Sequence, residues 1–180
     1  DQQRWDCSGL HGNPLNLMPN FDRLAGSGTH IENSITCQPV CGPARSCLQT
    51  GLYATQTGVW KNFIPLDQQS TTLAHHFKKH GYQTGYIGKW HLGTPEGAVP
   101  EEERGGYDYW LAANLLEFVS DSHDCVLFDN DNQKVKLPGY RVDAMTDAAI
   151  RYIDDAKKKK DPFFLFLSYL EPHHQNHLDD

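Results

Sequence analysis

The chain has no apolar run near the roughly 20 residues that a membrane-spanning helix needs, so no span is expected. It also lacks an excess of positive charge: 16 Lys and Arg against 23 Asp and Glu give a formal net charge of −7. That argues against nucleic acid as a partner, while a small anion stays compatible because a site can oppose the global sign. The cysteines Cys7, Cys37, Cys41, Cys47 and Cys125 are odd in number and irregular in spacing. A disulfide-stapled mini-domain is thereby disfavoured, and without a C-x2-C pair so is a zinc site. Internal repeats are absent, and the one low-complexity tract, residues 157–160, reads as a solvated helix end. No methionine or leader precedes Asp1, and Asp179 and Asp180 follow closely on a strand. The chain therefore reads as a piece of a longer domain, truncated at both ends, and the missing leader says nothing about compartment.

What is present describes a globular domain with a core, at 38% hydrophobic and 22% charged residues over 180 positions. Residues 18–25 read as a short helix closed by Gly26, and 29–36 as a strand. After a turn at Gln38-Pro39, a helix is predicted over 43–50, with Pro43 in its first turn and Gly51 as its cap. Another helix over 70–80, capped by Ser70 or Thr71 and stopped by Gly81, leads to a strand over 82–87 and a Gly-rich turn over 88–93. Residues 94–106 form a polar loop, and 107–140 read as irregular with a short hairpin around Asp129-Asn130-Asp131-Asn132. The clearest helix covers 143–160, where Ala144, Ala148, Ile150 and Ile153 share a face. The unbroken apolar run 163–170 predicts a buried strand. Strands alternating with helices predict an α/β layered fold with a largely parallel sheet.

Chemistry concentrates in Cys41-Gly42-Pro43-Ala44-Arg45-Ser46-Cys47-Leu48-Gln49-Thr50-Gly51. Cys41 lies just before a helix N-terminus, whose free amides and dipole favour an anion. Arg45 sits in the first turn, where the same dipole disfavours a cation unless an anion is near. A nucleophile, a cation and an anion-binding helix end thus fall on one spot. Cys-x-Pro-x-Arg, followed by Leu and Thr-Gly, resembles the signature of the type I sulfatases of the alkaline-phosphatase-like superfamily. A second stretch, Gly81-Tyr82-Gln83-Thr84-Gly85-Tyr86-Ile87-Gly88-Lys89-Trp90-His91-Leu92-Gly93, resembles that family's other signature, with Lys89 and His91 as its key residues.

The resemblance implies an alkaline-phosphatase-like fold, with residues 1–180 as the N-terminal part of the catalytic domain. It implies a maturation enzyme that oxidises Cys41 to formylglycine. The hydrated aldehyde presents two hydroxyls on one carbon: one attacks the sulfur of a sulfate ester, and the other expels sulfate. By the same resemblance Arg45 orients the hydrate, Lys89 contacts hydrate and sulfate oxygens, and His91 is the base that triggers sulfate release. Taken singly, Cys41 is a buried apolar cysteine, Arg45 a surface ion-pair residue, and Lys89 and His91 a solvent-facing strand end. The joint pattern carries the catalytic reading. Cys37 and Cys47 stay structural, and a disulfide from Cys41 to either would abolish the chemistry.

Asp1-Gln2-Gln3-Arg4-Trp5-Asp6 resembles the end of the family's first strand, where an acidic residue begins a metal site. The preferred alignment makes Asp1 the first ligand and Gln2 the second; the alternative makes Asp1 the second acid. Outside the family pattern, Asp1 is a terminal acid. With the oxygen of matured Cys41 these are hard donors suited to calcium or another divalent cation. Glutamine at that second position also resembles the related phosphonate monoester hydrolases. At the far end, Pro172-His173 resembles the family's Pro-His pair after a strand, which implies that His173 binds sulfate and protonates the leaving oxygen. His174 is the nearest substitute. His173 and His177 also have the i,i+4 spacing of a metal pair, but in a loop-like context. His75, His76 and His80 read as surface residues.

The expected function is hydrolysis of a sulfate ester, carried by a sulfated carbohydrate or an aryl compound, in a bacterial enzyme that is periplasmic or secreted. Two alternatives stay open: a phosphonate or phosphate-ester hydrolase with the same nucleophile, and a non-catalytic relic of the fold. The family's second pair of metal ligands and a further substrate lysine are not found in residues 1–180, so the isolated chain is expected to be inactive. Loops 94–106 and 114–137 are expected to shape the pocket rim.

Overall fold

Gly85, Tyr86, Ile87 and Gly88 put small and apolar groups on both sides of one strand, β1 (Gln83–Lys89), which is buried on both faces from Thr84 on. Such a strand belongs in the middle of a layered fold. The computed structural model describes residues 2–173. In it β1 pairs in parallel with β2 (Tyr109–Ala113) on one side and β5 (Phe163–Ser168) on the other. An antiparallel hairpin, β3 (Cys125–Phe128) and β4 (Lys134–Leu137), extends the sheet to the order β4-β3-β2-β1-β5. Only β3 runs against the other strands, so the sheet is mostly parallel, as expected.

Alternation along β1 feeds two cores. Ile87 joins Leu111, Leu127 and the Ala144, Met145, Ala148 and Tyr152 face of α6 (Arg141–Ala156). Tyr86 points the other way, into a cluster with Trp90, Trp110, Tyr107 and Ala74 of α4 (Leu73–Lys79). Its ring stacks on Phe166 at 5.2 Å and on Trp110 at 5.3 Å. The remaining helices are α1 (Pro19–Ser27), α2 (Cys41–Thr50), α3 (Ala54–Thr57) and the short α5 (Leu116–Val119). Among the described residues no helix is long and apolar enough to cross a membrane.

Several boundaries move for identifiable reasons. The α4 cap is Thr72, not Ser70 or Thr71, because Thr72 and His75 form a reciprocal capping box. α6 starts two residues early and stops at Ala156, and the lysines beyond it form turns. β2 lies within the stretch read as irregular. Residues 29–36 do not form the expected strand: the segment pairs with neither described sheet edge, and Ile31 and Ile35 are 69% and 94% exposed. Alternation alone makes no strand where no edge is offered. The hairpin around Asp129 does form, with the Asp129 carboxylate accepting from the N–H groups of Asp131 and Gln133.

The tightest point of the sheet is Gly88 opposite Ser168. Gly88 has φ +108°, and a Cβ there would lie 2.1 Å from the Ser168 carbonyl oxygen. Gly88→Ala is therefore expected to lower unfolding free energy by about 3 kcal/mol or more, read from the urea midpoint. An unchanged midpoint would show that β1 and β5 separate at no cost.

Candidate active site

The helix that carries the nucleophile begins earlier than the proline suggested. Val40 is extended and Cys41 is itself the first residue of α2, half-buried. No side chain of the helix's own caps this end; instead the Gly42 N–H donates to Asn62 Oδ1 at 2.8 Å. Gly51, with φ +72°, closes the other end as expected.

Arg45 spans the gap between this helix and the sheet. Its Nη1 donates to the Lys89 carbonyl at 2.8 Å and to Ser168 Oγ at 2.9 Å. Those atoms mark the carboxyl ends of β1 and β5, where α/β sheets form ligand sites. Tyr86 OH also donates to the Lys89 carbonyl, at 2.5 Å.

Lys89 is not a solvent-facing residue. Its side chain is fully buried, with Nζ 2.8 Å from Glu117 Oε1. Burial pulls the ammonium below its ordinary range, and the adjoining carboxylate works against that pull. Burial also pushes the Glu117 carboxyl up, but hydrogen bonding and charge from Lys89 outweigh it and hold the group low. Glu117 is absent from the residues picked out by sequence. Its one signal there is an acid set within Leu115, Leu116, Phe118 and Val119.

His91 follows on the same side. Its N–H bonds the Asn114 carbonyl at 2.8 Å, and its φ of +61° is uncommon for a residue with a side chain. The ring is buried, and neither nitrogen has a hydrogen-bond partner among the described residues. Phe63 lies beside it, with ring centroids 5.9 Å apart. Burial first, then the Lys89 charge, pushes the imidazole down to about 4, so it is neutral at neutral pH. A buried neutral imidazole with open nitrogens is placed to accept a proton from a bound reactant.

His173 is buried too, in the turn after β5, and stands close enough to His91 to influence its charge. Cys41, Arg45, Ser168, Glu171 and Gln2 line one cleft of about 980 Å³. Gln2 and Cys41, two of the three expected metal ligands, thus line the same cleft. Asp1, His174 and His177 lie outside the described residues. Among the described residues no group of three or more His, Cys, Asp or Glu is placed to hold a metal. All five cysteines are free thiols, so neither disulfide that would block Cys41 is formed. His75, His76 and His80 are exposed, as expected.

Known proteins share this arrangement of chain. The Sulfatase family model matches residues 1–180. The ulvan-active sulfatase of Formosa agariphila is 38% identical over 176 residues, covering 96% of this chain and 34% of that protein. A Bacteroides fragilis crystal structure assigned as sulfatase yidJ matches with a TM-score of 0.87 at 28% identity, over 96% of this chain and 42% of that one. The protein BT4656, solved in complex with its substrate D-glucosamine-2-N,6-O-disulfate, gives 0.76 at 26% identity, over 90% and 31%. The fold is the alkaline-phosphatase-like one of these structures. The chain spans about a third of the length of the curated relatives it matches.

Truncating Glu117 removes the carboxylate that is ion-paired to a buried ammonium. Glu117→Ala is expected to cost about 3–5 kcal/mol of unfolding free energy in urea titration; a loss below about 1 would mean Lys89 is solvated instead. His91 gives a pH signature. Its folded value near 4 lies below the ordinary 6.5, so between the two the unfolded chain binds the extra proton. Stability is whole above pH about 6.5 and is expected to fall by about 3 kcal/mol as pH drops towards 4. His91→Gln should flatten that slope; parallel profiles for wild type and variant would acquit His91.

Proposed function

The chain belongs to the sulfatase family, and from that premise we propose that the protein containing it hydrolyses a sulfate ester with a formylglycine made from Cys41. The observation that carries this reading is that Arg45 bonds the Lys89 carbonyl at the end of β1, with Cys41 close to the Lys89 charge and His173 close to His91. Oxidised and hydrated, position 41 supplies two hydroxyls on one carbon: one forms the new O–S bond as the ester S–O bond breaks, and the other expels sulfate as the aldehyde returns.

Each neighbour has a task that follows from its surroundings. Arg45 is held by the Lys89 carbonyl and Ser168, and keeps a fixed cation beside position 41. Lys89 presents a charge to the sulfate oxygens that Glu117 has already oriented, so little rearrangement is needed when the transition state forms. The first turn of α2 adds its dipole to the same end. His91 takes the proton of the second hydroxyl. His173 binds the sulfate and gives a proton to the leaving alcohol oxygen.

Asp1, Gln2 and the oxygen of matured position 41 are the proposed ligands of a hard divalent cation, calcium before others. The cleft shared by Gln2 and Cys41 supports two of these. The cation supplies further positive charge for a sulfate group. A sulfated carbohydrate is the favoured substrate, ahead of an aryl sulfate, because one relative is named for ulvan and BT4656 holds a sulfated glucosamine. A periplasmic or secreted location and an encounter with a formylglycine-generating enzyme belong to the same proposal. Gln2, a carboxamide facing this cleft, favours a second reading: a phosphonate or phosphate ester cleaved by the same nucleophile. Rates on matched sulfate and phosphonate esters separate the two. A relic without catalysis is opposed by the buried Lys89–Glu117 pair beside an open His91.

Tryptic peptide 24–45, taken from the whole protein made beside a maturation enzyme, contains Cys37 and Cys41. Mass spectrometry is expected to find Cys37 alkylated and an aldehyde at position 41. Both cysteines alkylated, with a control sulfatase matured in the same cells, would overturn the formylglycine reading.

A further inference from the structure

Arg141 opens α6 with its side chain wholly buried, and the chemistry above gives it no task. Its guanidinium joins two separate segments. Nε donates to Glu171 Oε1 at 2.8 Å, and Nη2 makes an ion-pair contact with the same oxygen at 2.7 Å. Nη1 donates to the Ser120 carbonyl at 2.9 Å. The Arg141 N–H bonds the Ser122 carbonyl at 2.7 Å, which fastens that loop to the helix start. Glu171 stands two residues before His173, in a turn that the His173 N–H closes onto the Leu170 carbonyl at 3.1 Å. Ser120 is the C-terminal cap of α5, the helix that brings Glu117 to Lys89. One buried cation therefore ties the turn bearing His173 to the helix bearing the counter-ion of Lys89.

We propose that Arg141 is a positioning residue that acts through Glu171 to hold His173 in line with the leaving oxygen. The inference rests on the role given to His173 above. Stability is a weak reason to keep such a pair, since desolvating two ions offsets most of their attraction and an apolar substitute often does as well. Direction is a better one. A planar guanidinium that reaches a carboxylate on one edge and a carbonyl on the other permits a single arrangement of both segments. Proton transfer is sensitive to displacements of about 1 Å, so a turn fixed in this way matters to rate more than to folding.

The test uses the whole matured protein and a series of aryl sulfates, from 4-nitrophenyl to 4-methoxyphenyl sulfate. The nitrophenolate leaves without help, while the poorer leaving group depends on a proton donor. His173→Ala is the reference variant and should steepen the dependence of kcat on leaving-group acidity. Arg141→Lys keeps the charge but loses the fork; Glu171→Gln is the second variant, should the first not fold. Both are expected to lose about tenfold or more in kcat on 4-methoxyphenyl sulfate relative to 4-nitrophenyl sulfate, and to add no further selective loss in a His173→Ala background. Equal losses across the series in both variants, with His173→Ala still discriminating, would overturn the positioning role alone. If His173→Ala does not discriminate, the assignment of His173 fails and the inference falls with it, while an aldehyde at position 41 would leave the nucleophile standing.

Discussion

Lys89 reaches the end of β1 with its whole side chain out of water, and the rest of the site is arranged around that constraint. An ammonium in such a place is tolerable only with a carboxylate beside it, and Glu117 is delivered by a four-residue helix, α5, that Leu116 anchors in the core. The same ammonium helps to keep His91 neutral. The Lys89 carbonyl in turn receives both Arg45 and Tyr86, so the backbone at the strand end is as fully engaged as the side chain. A strand end bonded in this way has its groups oriented before a ligand arrives, which is what a preorganised electrostatic site requires.

Why these groups meet at all is a matter of topology. β1 and β5 are parallel, so their carboxyl ends lie side by side, and Lys89 and Ser168 arrive together although far apart in sequence. α2 adds its N-terminus to the same end, secured by Arg45 across to the sheet and by Asn62 at Gly42. Gly88 is the condition for this closeness, because any side chain there would drive into the Ser168 carbonyl. The close approach of β1 and β5, which carries no chemistry itself, sets the distance between the residues that do.

The legible parts of the molecule were those that depend on local chemistry. Gly51 and Gly81 announce themselves within a few residues and sit at the turns expected of them, while the apolar run of β5 forms its strand but is only half-buried, because it stands at the edge of the described sheet instead of inside it. The illegible parts depend on partners far away. Residues 29–36 alternate like a strand but meet no edge, and the five residues of β2 are too short to stand out until β1 is placed beside them. Glu117, Asn62 and Arg141 were missed for the same reason. Each is an ordinary polar residue whose meaning comes only from the buried group it meets at a separation of 20 residues or more.

Charge shows how far a global quantity misleads about a local one. The chain carries a net −7, yet the cleft at Cys41 is lined by the Arg45 guanidinium and the N-terminal turn of α2, with the Lys89 ammonium buried close by rather than on its wall. Glu171, which lines this cleft, and Glu117 are each paired with a buried cation, Arg141 and Lys89. These two acids hold positive groups in place, and the charge of each is offset by its partner. Most of the remaining acids lie on the surface, where solvent screens them over about 10 Å. For the small anionic ligand proposed above, the few charges at the sheet end weigh more than the sum over the whole chain.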